Sequence, residues 1–400
     1  MSRLSELIAE LCPDGVEYKT LSELFDIRNG YTPSKKNPSF WEGGTHPWFV
    51  MEDIRRDGTV LAESAAHITD EALKKNGLFP ANSIIVATSA TIGVHALITV
   101  DFLCNQRFAC MTIKKKYADT LNIRYVHQAF FALDRWCLEH VDQGNFATVN
   151  SAALKAYRIP IPPIEVQREI VRVLDSFQEL DDALTAEIEA REKQFEKYRD
   201  ELLEERLQKM CPDGVEYKKL VAVADVLYGA AFRSALFNTD GDGLPVIRIR
   251  DVLRGYSETF YSGEYEQKYV IGDGDMLLGM DGNFNLRLWS GGKALLNQRV
   301  CRISSKDDAV VLNGFLRYWL QPVFKSYEGD ISRTTVAHMS ARVINGIRIP
   351  VPPIEVQREI VRILDSFQDH IDTMRSEREA RRKQFEYYRD RLLTFTEKAA

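Results

Sequence analysis

The sequence predicts an α+β chain in which two mixed domains are joined by two long coiled-coil helices, as a circularly permuted pseudo-twofold repeat. Three observations predict it. A long stretch occurs twice, as RIPIPPIEVQREIVRVLDSFQ from Arg158 and RIPVPPIEVQREIVRILDSFQ from Arg348, with changes only at Ile161/Val351 and Val173/Ile363. Chance does not produce such a match, so the chain is internally duplicated. An apolar series with alternating steps of three and four residues follows each copy. A second shared block, LCPDGVEYK from Leu11, returns as MCPDGVEYK from Met210.

The N-terminal MSRLSELIAEL reads as an amphipathic helix. Leu4 and Ile8 correspond to Leu203 and Leu207, so this helix matches the last turns of the central long helix. The C-terminal helix ends at RLLTFTEKAA without a CPDG block, and the N-terminus reads as its displaced tail. Pro-Asp-Gly stops each helix, with Gly15 and Gly214 free to take positive φ. In each RIP copy a strand end runs into a helix whose first turn tolerates Pro160, Pro162 and Pro163. Glu165 and Glu169 favour the positive end of its dipole. The seam then runs Ile170, Leu174, Phe177, Leu184, Ile188, Phe195, Tyr198 and Leu202, broken by Asp181 and Arg191. The second runs Ile360, Leu364, Phe367, Ile371, Met374, Phe385, Tyr388 and Leu392, broken by Arg378 and Arg381. A seam of about five heptads is a coiled coil, and about 45 helical residues extend roughly 65 Å. The expected segments are 1–19, a first domain 20–157, the central helix and turn 158–218, a second domain 219–347, and the last helix 348–400.

Both mixed segments hold short β-branched runs between Gly and polar turns, as α+β domains do. Weak correspondences survive in them. Gly30 matches Gly229, Asp53-Ile54 matches Asp251-Val252, Asn105-Gln106-Arg107 matches Asn297-Gln298-Arg299, and the buried run Ser83–Ala87 matches Asp275–Gly279. The polar loops differ: TSATIG against MDGNFN after that run, YTPSKK against AAFRS after the glycine. One scaffold carrying two sets of loops suits the reading of two different targets. Candidate DNA contacts are Lys35, Lys36, Arg107, Arg233, Arg287 and Arg299 for phosphate or guanine. Gln143, Asn145 and Asn283 suit adenine, Thr32, Ser34, Ser89 and Thr91 suit either, and Thr88 and Asp281 share the same loops. The recurring Asn-Gln-Arg fits base reading and, equally, a hydrogen-bond network that holds the scaffold.

The composition, 45% hydrophobic and 28% charged, is that of an ordinary globular protein. A net charge of −6 is unusual for a DNA reader and calls for local basic patches or a basic partner. Six scattered cysteines without a C-x-x-C pair read as reduced thiols in a cytoplasmic protein, with no metal site. Asp14 and Glu17 have the residue types of a nuclease site, but only Gly15 and Val16 separate them, too few for a hairpin to converge them. Asn37-Pro38-Ser39-Phe40 lacks the second proline of an amino-methyltransferase motif, and no GxxxxGK[ST] is present. The seven histidines have no ligand spacing and read as structural.

Taken together, the two RIP copies, GYTPSKK, LPVIRIRDV, MLLGMDGNFN and the paired NQR make the whole chain resemble the specificity subunit of type I restriction–modification systems. The same residues fit the specificity chain of a related phage-defence or modification-only system. The resemblance implies two target recognition domains with curved β-sheets, each reading half of a split double-stranded DNA sequence. It implies long helices that pair antiparallel and dock two methyltransferase subunits, with separate restriction/motor subunits joining for cleavage. S-adenosylmethionine, ATP and Mg belong to those partners, so this chain is expected to catalyse nothing, bind no cofactor and contact no membrane. For an antiparallel pair, twofold symmetry sets Phe177 against Phe385, Phe195 against Phe367, Ile188 against Met374, and Asp181 against Arg381. Arg191 and Arg378 are then expected to reach the rim unpartnered. Adding one heptad to both helices is expected to lengthen the DNA spacer by about three base pairs.

Overall fold

The computed structural model describes residues 3–143, 147–282, 284–329 and 338–399. It resolves into two compact units, Met1–Thr185 with Glu377–Ala400, and Ala186–Ser376.

In the first unit an open sheet runs in the order Phe25–Asn29, Phe108–Ile113, Ser83–Ala87, His95–Ile98 and Val60–Leu61. Successive residues of a strand point to opposite faces, so the run Ser83–Ala87 is buried on both. Ile84 and Val86 join Leu97 and Met111 against Tyr125, Val126, Phe130 and Leu133 of the helix Ile123–Glu139. Ile85 and Ala87 join Ile98 and Cys110 against Trp48, Phe49 and Phe102 on the other face. Within this core His95 Nδ1 lies 2.6 Å from Asp134 Oδ2 and its Nε2 2.9 Å from the His127 carbonyl. Burial, and then the neighbouring His95, pull His127 down to about 3.

The second unit repeats the plan. Its strands run Ala224–Tyr228, Val300–Ser305, Met276–Gly279 and Leu286–Leu288. Met276, Leu278 and Ile303 face Phe315, Leu316 and Phe324 of the helix Asn313–Gly329. Leu277 and Val300 face Ile247, Val252 and Trp289. The buried acids that matched in sequence cap equivalent short helices: Asp53 Oδ2 accepts from Val50 N at 2.9 Å, and Asp251 Oδ2 from Arg248 N at 3.0 Å. All six cysteines are free and buried, and burial pushes the thiols of Cys104, Cys110 and Cys301 up.

The long helices are Ile164–Glu201 and Ile354–Leu392. The glutamine that the two RIP copies share fastens each to its own unit. Gln167 Nε2 donates to Thr120 O (2.9 Å) and Pro162 O (2.8 Å), and its Oε1 accepts from Asn122 N (2.8 Å). Gln357 does the same with Val310 O (2.9 Å), Pro352 O (2.8 Å) and Leu312 N (2.9 Å). The central helix passes through a π turn, Leu202–Arg206, before its last turn Leu207–Met210. That wider turn lets Leu202, Leu203 and Leu207 all face inward. In the first unit the separate helix Arg3–Leu11 supplies this end, with Leu4 buried where the central helix has Leu203.

The helices run antiparallel within each unit. Phe177 stands 6.0 Å from Phe385 in the first, and Phe195 stands 6.1 Å from Phe367 in the second, as the symmetric register requires. The charged pairing expected from the sequence is corrected. Asp181 bonds Arg378 (Nε–Oδ1 3.2 Å), one turn from the expected Arg381, which is held by Glu377 on its own helix at 2.7 Å. An i,i+4 partner competes successfully for Arg381, and Arg378 is long enough to cross the seam. Arg191 likewise bonds Glu187 at 2.9 Å rather than reaching the rim alone. Under the repeat, Asp181 and Arg378 correspond to Ile371 and Ile188, both buried. Replacing the ion pair by isoleucines in the double variant Asp181→Ile/Arg378→Ile is therefore expected to leave stability unchanged or raise it by about 1–4 kcal/mol. Asp181→Ile alone should lower it by about 1 kcal/mol, since Arg378 is partly exposed. Thermal denaturation of the three proteins tests this; a double variant weaker than the single one refutes it.

Candidate nucleic-acid interface

Each unit brings three distant segments together by main-chain bonds in the same pattern. In the first, Thr88 N donates to Arg107 O at 3.0 Å and Val149 N donates to Thr88 O at 2.9 Å. In the second, Met280 N donates to Arg299 O at 2.9 Å and Met339 N to Met280 O at 2.8 Å. The flanking bridges also match, Ser89 with Thr148 and Asp281 with His338. The end of the central strand, the Asn-Gln-Arg turn and the segment ahead of the RIP strand thus form one frame in both copies.

Paired glycines explain how the turn comes so close. Gly30 N donates to Phe108 O and Gly229 N to Val300 O, at 3.2 and 3.0 Å. A Cβ would meet Cys104 O at 2.1 Å on Gly30 and Asn297 O at 2.1 Å on Gly229. Only glycine permits that approach. Asn-Gln-Arg divides its labour. Asn105 Oδ1 accepts from Arg107 N (2.9 Å) and Asn297 Oδ1 from Gln298 N (2.7 Å), so the asparagines close the turns. Gln106, Arg107, Gln298 and Arg299 are exposed.

Different side chains occupy this common frame. In the second unit Asp281 lies 3.4 Å from Arg299 Nε and also bonds His338 Nδ1. Such a carboxylate orients the guanidinium fork, the group suited to bidentate contact with guanine. In the first unit the corresponding groups are the hydroxyls of Ser89 and Thr148, and Arg107 is exposed beside them. Thr32 Oγ1 donates to Gln106 Oε1 at 2.6 Å, which joins the YTPSKK loop to the turn. Thr88 Oγ1 donates to Arg107 O at 3.2 Å, and Thr91 Oγ1 accepts from Arg55 at 3.4 Å. Ala90 has φ +66°, where the second copy has Gly282 at φ +72°.

The remaining candidates are more scattered. Ser34, Lys35 and Lys36 are exposed, and Ser34 O accepts from Trp41 Nε1 at 3.1 Å. Arg233 is exposed at the start of the 3-10 turn Ser234–Leu236. Arg287 is not gathered with Asp281 and Arg299; it lines a cavity of about 310 Å³ with Glu192, Glu196 and Arg375. Gln143 ends the hairpin strand Val141–Gln143, whereas Asn145 and Asn283 lie outside the described residues. Three participants were not among the individual candidates read from the sequence. Gln106 and Gln298 were visible as the middle of a recurring triplet. His338 carried no signal, because its partner Asp281 lies 57 residues away. Among the described residues, no cluster of three His, Cys, Asp or Glu is placed to hold a metal ion, and no helix is long and apolar enough to cross a membrane.

The profile of the family described as the type I restriction modification DNA specificity domain matches residues 13–191 and 212–381. The chain is similar to the specificity subunit of the type I restriction enzyme EcoprrI of Escherichia coli, with 46% identity over 51% of this chain and 53% of the relative. It is similar to the EcoR124I/EcoR124II specificity subunit of Escherichia coli, with 34% identity over 46% of this chain and 47% of that one. The chain thus spans about half the length of these curated relatives. In fold it is similar to a chain from a solved structure on complex assembly and conformational transition of the type I R-M system. There the TM-score is 0.58 and the identity 16%, covering 96% of this chain and 97% of the other.

Proposed function

Because the chain belongs to the type I restriction–modification DNA specificity family, we propose that it is the sequence-reading subunit of a modification complex. Each unit reads one half of a split double-stranded DNA target, and the chain itself makes and breaks no bonds. Two methyltransferase subunits supply the S-adenosylmethionine chemistry. Restriction/motor subunits using ATP and Mg join for cleavage, and the assembly works in the cytoplasm on DNA. One observation carries this reading: a main-chain frame built twice with the same hydrogen bonds presents Ser89, Gln106 and Arg107 in one copy and Asp281, Gln298, Arg299 and His338 in the other.

Sequencing of methylated adenines in DNA modified by the assembled complex tests it. Exchanging 20–157 for the equivalent block of a relative should replace one half-site and leave the other intact; a change in both refutes the two-reader model. Arg299→Ala should relax a single position of the second half-site by about 1–3 kcal/mol, roughly tenfold to a hundredfold in discrimination. Asp281→Asn should relax the same position less, because it frees the guanidinium without removing it. The purified chain alone should transfer no methyl group, and steady S-adenosylmethionine turnover by it would end the reading.

A further inference from the structure

The two copies of CPDGVEYK differ in what covers them. In the first unit the chain's own tail runs alongside. Val16 N donates to Thr396 O at 2.9 Å and Lys398 N donates to Val16 O at 2.9 Å. The Tyr18 hydroxyl donates to Phe395 O at 2.8 Å, and Arg158 Nη2 meets Glu397 Oε1 at 2.5 Å. The fit is close enough that a Cβ on Gly15 would lie 2.4 Å from Thr396 O.

Every receptor residue recurs in the second unit, as Gly214, Val215, Tyr217 and Arg348. The supporting strands pair in the same register, Glu17 to Thr20 with Ile161 to Arg158, and Glu216 to Lys219 with Val351 to Arg348. Arg348 Nη2 donates to Tyr217 O at 3.2 Å, as Arg158 Nη2 does to Tyr18 O at 3.0 Å. Yet no described segment runs along this copy as the tail runs along the first, although Tyr217 lies edge-on to Trp319 at 6.2 Å. Val16 is 3% exposed, whereas Val215 is only half-buried, and Tyr217 is 45% exposed where Tyr18 is half-buried. A Cβ on Gly214 would meet nothing within 4 Å. Among the described residues, Arg348 has no acidic partner and the Val215 main chain has no hydrogen-bond partner.

We propose that Val215, Tyr217 and Arg348 form a docking edge for an extended, acid-bearing segment of the methyltransferase partner. The segment lies parallel to Val215, exchanges main-chain bonds with it, and sets a carboxylate on Arg348, as Glu397 is set on Arg158. Main-chain bonds supply the attachment and the charged pair fixes the register. A second copy of this chain is a poor occupant, because its tail already holds the equivalent edge of its own first unit, and moving it breaks the bonds it would form. The edge is built from the shared blocks rather than the divergent loops, which suits a partner that does not vary with the DNA target. The identity of that partner rests on the proposed function.

Amide hydrogen exchange on the full chain tests the edge. It is measured alone, with a millimolar peptide of sequence TFTEKAA, and in the assembled methyltransferase complex. Residues 212–219 should exchange at least about tenfold more slowly in both bound states than in the free chain. Arg348→Glu should abolish that protection, as should Val215→Pro, which lacks the N–H, while exchange elsewhere stays unchanged. Unchanged exchange of 212–219 with peptide and complex alike overturns the proposal. So does protection of the free chain that grows with its own concentration, which would make a second copy the occupant. A complex that methylates DNA but leaves 212–219 unprotected refutes the docking edge alone. Failure of the chain to assemble with any methyltransferase refutes the proposed function, and the peptide then decides whether the edge binds.

Discussion

Gly229→Ala is expected to disable the second recognition site while sparing the first. The added Cβ would sit 2.1 Å from Asn297 O and 2.5 Å from Leu296 O, both main-chain atoms that cannot rotate aside. The strand end must withdraw. The bonds from Gly229 N to Val300 O and from Ala230 N to Leu296 O, both 3.0 Å, are then stretched or lost. Each buried bond broken costs about 1–3 kcal/mol, so the unit should lose roughly 2–5 kcal/mol. The Asn-Gln-Arg turn moves with the strand, taking Arg299 away from Asp281. Discrimination at the base pair that Arg299 is proposed to read should fall about tenfold to a hundredfold. Gly30→Ala should do the same to the first half-site, since its Cβ would meet Cys104 O at 2.1 Å. Binding of the assembled complex to DNAs altered in one half-site at a time separates the two. Full specificity in either variant would show that the close approach is dispensable.

The other large effect is expected at the glutamines of the RIP copies. Gln167 is fully buried and makes three bonds, all to main-chain atoms. Gln167→Leu keeps the approximate volume but strands the Asn122 N–H and the carbonyls of Thr120 and Pro162. At about 1–3 kcal/mol for each stranded group, a loss of about 4 kcal/mol is expected. That is a large part of the 5–15 kcal/mol typical of a folded domain. Gln357→Leu should cost as much through Leu312, Val310 and Pro352. Urea denaturation followed by fluorescence measures both, and a loss below about 1 kcal/mol in either would mean the bonds are replaced by water.

What the sequence revealed was whatever repeated. The antiparallel aromatic layers followed from the duplicated seam, because Phe177/Phe385 and Phe195/Phe367 are related by the symmetry itself. The partner of Asp181 did not follow, because symmetry fixes where backbones lie and not which of two arginines one turn apart turns inward. Glu377, four residues before Arg381, decided that choice. The frame around Asn-Gln-Arg was half visible: recurrence marked the triplet, but only the fold showed that its asparagine closes the turn while glutamine and arginine face out. Asp281 and Arg299 were visible as candidates, but their grouping with His338 was hidden, since the first copy has the hydroxyls of Ser89 and Thr148 where the second has Asp281 and His338. The course of the C-terminal tail was equally hidden, because TFTEKAA has no counterpart after the central helix.

The glutamine contacts carry a consequence for inheritance. Gln167 and Gln357 grip their domains only by peptide groups, which every incoming sequence possesses. The latch is therefore indifferent to side chains. A foreign segment spliced between the shared blocks brings the same carbonyls and amides to this latch, and only its packing on Val166, Ile170 and Leu174 depends on its side chains. On the proposed function, a new specificity is then expected to enter as a module, with no change in the latch that receives it.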